Sequence, residues 1–124
     1  MEFYFRDPNE TPLPPDQVRI KELRGVARPD GHKVRVTLQI SAFQERPSGD
    51  IRILNQRGEE LASLSFIEAI SPHQEFTMHL HGETVNPHQI LARIFYLPKD
   101  EEGNPVPEEI SIQVVDEMKV DLIL

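Results

Sequence analysis

The chain carries five histidines, and two of them, His79 and His81, lie in the stretch "EFTMHLHG" over residues 75–82. Phe76, Met78 and Leu80 alternate there with Thr77, His79 and His81. Such alternation predicts a β-strand with both imidazoles on one face, about 6.6 Å apart along the axis. Two imidazoles at that spacing can converge on one zinc ion, whose remaining tetrahedral positions need further ligands. His73 lies six residues before His79, so it is about 20 Å away along an extended chain unless Pro72 begins a tight return. His88 is better placed, because the "GETVNP" connection can bring it beside His81, and Glu83 is within reach. The sharpest chemical expectation is a zinc or other divalent-metal site built from His79, His81 and His88, with Glu83 as a further candidate. The plainer expectation is that His79 and His81 form the wet side of a half-buried strand, where alternation alone places polar residues. No general base or substrate pocket is marked beside them.

Other reactive patterns are sparse. Asp100, Glu101, Glu102 and Asn104 flank Gly103 in an acidic loop. They supply the oxygen ligands calcium takes, but not at EF-hand spacing, and the default for such a loop is solvation. Glu59–Glu60 and Glu108–Glu109 are adjacent pairs, which point to opposite faces of a strand and make no catalytic dyad. G-x-S-x-G, H-E-x-x-H and phosphate-binding glycine loops are absent, and the six glycines are isolated. The chain has no Cys, which excludes disulfides, thiolate metal sites and a cysteine nucleophile and fits a reducing cytoplasm. These features predict a non-enzymatic protein without a cofactor, zinc or calcium being the alternatives.

The scaffold for these residues is a chain of 124 residues, the usual size of one domain. A hydrophobic share of 38% and a charged share of 27% are those of a globular protein. A net charge of −8 argues against nucleic acid as the main partner. The basic residues Arg19, Lys21, Arg24, Arg28, Lys33 and Arg35 cluster early, either as a weak anion-binding face or, more plainly, as solvated strand faces. "MEFYFRDPNE" is acidic early and has too short an apolar run for a signal peptide, and no stretch is long enough to span a membrane. A cytoplasmic protein with no membrane contact is expected.

Residues 1–15 hold Pro8, Pro12, Pro14 and Pro15. Proline lacks a backbone donor and fixes φ, so this segment is predicted to be an extended arm. Its Phe3 and Phe5 are expected to dock on apolar surface. Strand patterns follow in "QVRIKEL", then after the turn "RPDG" in "HKVRVTLQISAF", where Val34, Val36, Leu38 and Ile40 alternate with Lys33, Arg35, Thr37 and Gln39. "DIRILNQRGEELASLSF" predicts a hairpin, with Gly58 supplying a left-handed turn residue. "EELASLSFIEAI" also contains helix formers at helical spacing, but Ser63 and Ser65 alternating with Ala62, Leu64 and Phe66 favours a strand. "HQILARIFYLP" is apolar on both sides and predicts an interior strand. In "ISIQVVDEMKVDLIL" Val115 breaks the wet face and Asp116 falls on the dry one. A bulge is predicted near residues 115–117, since fifteen straight residues would span about 50 Å.

About seven strands separated by turns predict an all-β fold, a two-sheet antiparallel sandwich over residues 16–124. The succession "RGEELASLSF … FTMHLHG … HQILARIFYL" resembles the middle strands of immunoglobulin-like and fibronectin-III-like sandwiches. The Cys-Trp-Cys signature is absent and Ile90 stands where a tyrosine corner would begin, so the resemblance implies architecture and no family function. A sandwich needs one dry face per sheet, yet this chain has apolar residues to spare. Leu91, Phe95 and Leu97 form a second apolar face, and Ile123 adds one near the end. With Phe3 and Phe5 these predict an interaction surface and a homodimer or larger assembly. The function expected is protein interaction or scaffolding through this apolar face and the terminal strand, with metal binding as the alternative.

Overall fold

The computed structural model of the chain describes residues 10–98, 101–104 and 112–124. Seven strands run through them: β1 Ile20–Ala27, β2 Lys33–Ile40, β3 Ser48–Leu54, β4 Glu60–Phe66, β5 His73–His79, β6 His88–Tyr96 and β7 Gln113–Leu122. β1, β2 and β5 make one sheet, in that order; β4, β3, β6 and β7 make the other. All pairings are antiparallel. The fold is an all-β, two-sheet sandwich, and its described helical content is one 3-10 turn at Pro15–Gln17.

The period-two pattern of β2 explains its place. Val34, Val36, Leu38 and Ile40 are fully buried, while Arg35 on the alternate face is exposed. Ile51 and Ile53 of β3 and Ile90 and Ile94 of β6 meet them from the facing sheet, also fully buried. Burial of each such side chain contributes about 1.5–3 kcal/mol before entropy is counted. β6 lies inside its sheet, between β3 and β7, as its two apolar faces predict.

Residues 60–66 form a strand, not a helix. The turn before them decides this. Gly58 takes φ +81° and donates its N–H to Asn55 O at 2.9 Å, which returns the chain along β3 before helical spacing can act. The hairpin packs closely at Gly49, opposite Phe66. A Cβ there would come 2.7 Å from the Arg93 carbonyl and meet the Phe66 ring. The bulge in β7 falls at Val115: Ile94 faces Asp116 and Phe95 faces Val114, leaving Val115 unpaired between them.

The two described ends lie at opposite poles. Leu13 bridges Phe43 in parallel, with Leu13 N–H donating to Ala42 O and Gln44 N–H to Leu13 O, both at 2.9 Å. Glu10 accepts the Ala42 N–H at 2.9 Å beside them. This part of the arm is therefore extended and docked where β2 ends. Leu124 sits at the other pole, where Asn86 accepts its N–H (2.9 Å) and donates to its carbonyl (3.0 Å).

Candidate functional site

The two flanks of the sandwich differ. On one, β1 lies against β7, and the Ile20 N–H donates to Asp116 Oδ2 at 2.8 Å. The apolar-side Asp116 of the sequence thus satisfies a backbone donor left free where β1 is bulged at Lys21. On the other flank the edge strands β4 and β5 face each other across an open groove of about 470 Å³. Its lining includes Glu60, Ser63, Leu64, Thr77, His79 and His81. Phe66 and Phe76 close one end, their rings stacked with centroids 5.9 Å apart.

The histidines enter this groove by different routes. His79 ends β5, opposite Lys33, and is exposed. Leu80 N–H then donates to His32 O, and His81 N–H donates to Leu61 O, each at 2.8 Å. The chain leaves the smaller sheet between these two bonds and touches the edge of the larger one. His79 and His81 keep their alternation with the buried Met78 and Leu80, and both line the groove. Both are exposed, and neither imidazole has a hydrogen-bond partner among the described residues.

His88 lies elsewhere. It opens β6 on the same parity as Ile90 and Ala92 and is fully buried. Its Nδ1 lies 2.8 Å from Asn86 Oδ1, which also accepts the Leu124 N–H, so Nδ1 carries the proton and donates. Nε2 is left without a partner inside the apolar core. Burial holds this imidazole below its ordinary pKa. The "GETVNP" connection thus does not set His88 beside His81; the parity of β6 turns it inward instead. His73 is also engaged, with Nδ1 2.9 Å from Gln39 Oε1 and Nε2 3.4 Å from Glu75. Glu83 forms an ion pair with Arg57. Among the described residues no group of three or more His, Asp or Glu is placed to hold a metal ion. In the acidic loop Glu101, Glu102 and Asn104 are exposed, and Asp100 lies outside the described residues.

The expected apolar surface is largely occupied. Phe95 is only 7% exposed, and the Arg93 guanidinium stands 5.2 Å from its ring centre while donating to Asp50 at 2.8 Å. Leu91 and Leu97 are half-buried, and Ile123 is exposed. Phe3 and Phe5 lie outside the described residues.

Sequence reasoning missed Asn55. It is buried and locks the β3–β4 turn: its Nδ2 donates to Glu59 Oε1 and to Glu83 O, both at 2.9 Å, and its Oδ1 accepts the N–H groups of Arg57 and Glu59. The Asn55 and Arg57 bonds hold the Glu59 carboxyl below its usual range. An asparagine just before a turn glycine was the available signal. No helix among the described residues is long and apolar enough to cross a membrane.

No family model and no curated protein matches the chain. Among solved structures it is similar to the β-glucuronidase of Ruminococcus gnavus in complex with D-glucuronic acid, at 17% identity and a TM-score of 0.47, covering 85% of this chain and 16% of that one. The complex of that enzyme with uronic isofagomine gives 14% identity and a TM-score of 0.48, covering 85% and 15%. Its apo form gives 14% and 0.47, covering 85% and 16%. The chain thus spans about 16% of the length of the enzyme.

Proposed function

We propose that this chain is a non-enzymatic protein-interaction or scaffold module of the cytoplasm, of the immunoglobulin-like, fibronectin-III-like class. The placing of β4 beside β3 on the larger sheet supports the fibronectin-III-like variant, since constant-type immunoglobulin sandwiches keep their fourth strand on the other sheet. The observation that carries the interaction role is the difference between the flanks. One is sealed by β1, β7 and the Ile20–Asp116 bond, while the other leaves two strand edges open along a shallow groove. Open edges recognise extended chains through their main-chain groups. The exposed imidazoles at this groove have no hydrogen-bond partner among the described residues, which favours a binding role over acid–base chemistry.

Site-specific photo-crosslinking tests this. A photoreactive residue at His79 in the open flank and one at Lys119 on β7 are compared in an extract of the source cell. Discrete adducts from position 79 and none from 119 are expected. Equal labelling, or none from either, overturns the proposal.

A further inference from the structure

Sheet order leaves four strand edges without a neighbour: β1 and β5 in the smaller sheet, β4 and β7 in the larger. A free edge is a template for another strand, and natural sheets block it with charge, bulges or cover. Three of the four carry at least one of these devices. β1 is bulged at Lys21, and its Ile20 N–H is taken by Asp116. β7 is bulged at Val115 and carries Asp116, Glu117, Lys119 and Asp121. β5 carries Glu75 between His73 and His79.

β4 is covered only at its start, where the His81 N–H donates to the Leu61 carbonyl. From 61 to 67 it contains neither a charge nor a proline, and its one irregularity lies at its start, at Leu61. The Leu61 carbonyl points away from β3, since it accepts the His81 N–H. At the far end the Glu68 N–H turns the other way, to Ser48 Oγ at 3.1 Å. Main-chain groups alternate with a period of two, so Ser63 and Ser65 present theirs to the open edge. Their side chains are exposed, while Ala62, Leu64 and Phe66 are half-buried.

This edge complements itself. Antiparallel pairing about Leu64 sets Ser63 against Ser65 of a second copy, Ala62 against Phe66, and Leu64 against Leu64. Hydroxyl meets hydroxyl and small meets large. The neighbouring charges are compatible with the same register. In β3, Arg52 lies beside Ser63 and Asp50 beside Ser65. Centring on Leu64 puts Arg52 of one copy and Asp50 of the other at the ends of one cross-strand row. Centring on Ser63 would set Arg52 against Arg52, and centring on Ser65 would set Asp50 against Asp50.

We propose that β4 is a self-pairing edge, through which two copies join antiparallel about Leu64 into one continuous eight-stranded sheet. This rests on the interaction-module reading above and names a second copy of this chain as the partner.

The experiment uses the full chain, whose lack of cysteine makes single-cysteine pairing unambiguous. Light scattering at tens of micromolar is expected to give twice the 14.3 kDa chain mass. Ser63→Lys with Ser65→Lys, verified as folded by circular dichroism, is expected to weaken dimerisation at least tenfold. Ser63→Cys and Ser65→Cys chains, mixed under mild oxidation, are expected to form a disulfide heterodimer. Each variant alone is not, because equivalent positions in this register are too far apart to bridge. A strict monomer overturns both the self-pairing and the dimeric form of the interaction reading. A dimer indifferent to the lysines, or a mixture that fails to cross-link, overturns the β4 assignment alone. If the lysine chain does not fold, the cysteine mixture decides.

Discussion

The Ile20 N–H and the Asp116 carboxylate meet at 2.8 Å across the seam between the two sheets, 96 residues apart in the chain. A hydrogen bond to a charged acceptor contributes about 1.5–3 kcal/mol, and its loss leaves a part-buried donor unsatisfied. Asp116→Ala is expected to lower stability by about that amount, with Asp116→Asn recovering part of it. Urea unfolding monitored by circular dichroism measures both. An alanine variant as stable as the wild type would show the contact to be incidental.

His88 makes stability depend on pH. Its folded-state pKa lies below the ordinary histidine value of 6.5, so on acidification the unfolded chain takes up a proton before the native one does. The stabilisation is complete above about pH 6.5 and is lost as pH falls through the folded value. Carboxylates add slopes of their own, so the test is a difference. His88→Phe is expected to flatten the fall in urea midpoint between pH 7 and pH 5 relative to wild type. Parallel curves would refute it.

Tyr96 acts at the other end of the scale. Its hydroxyl donates to Glu45 O at 2.8 Å, and its pKa is pushed up to about 12, by burial first and then by the Glu45 charge. The folded state holds the phenol neutral, so this stabilisation is full below about pH 10 and declines as pH rises towards 12. In a Tyr4→Phe chain, which leaves Tyr96 as its one phenol, ultraviolet titration near 295 nm is expected to show ionisation well above pH 10. A midpoint at 10 would contradict the burial.

The separation of His88 from His79 and His81 bears on metal. Zinc added to tag-free, chelator-treated protein is expected to leave the melting temperature unchanged, because a ligand raises stability only by binding the native state. A rise of several degrees that saturates at one equivalent would restore a metal site.

The elements were legible because their patterns are local. Val34 to every second residue through Ile40 states which face of β2 is dry, and Val115 with Asp116 states where β7 must kink. The site was legible only in part. His79, His81 and His88 look alike as residue types, and their relation depends on where the chain changes sheets. That crossing is made by two main-chain bonds, Leu80 to His32 and His81 to Leu61, and backbone donors leave no trace in side-chain identity. The inward aim of His88 could have been read, since it shares the parity of Ile90, Ala92 and Ile94. The pull of a third metal ligand hid that parity. The role of Asp116 was half visible: its presence on the dry face was plain, but its partner Ile20 is remote in sequence.

The opposite-pole placement of Glu10 and Leu124 has a mechanical consequence. β1 and β7 run the same way along the seam: Ile20 lies by Asp116, and five residues on, Gly25 lies near Leu122. Tension between the two ends therefore acts along the strands. It loads their ladders in shear, with many bonds bearing force together, instead of peeling them apart one by one. Resistance to pulling is set by the unfolding rate and not by equilibrium stability. A stretched chain of this kind behaves as a stiff link until the β1–β7 seam slips.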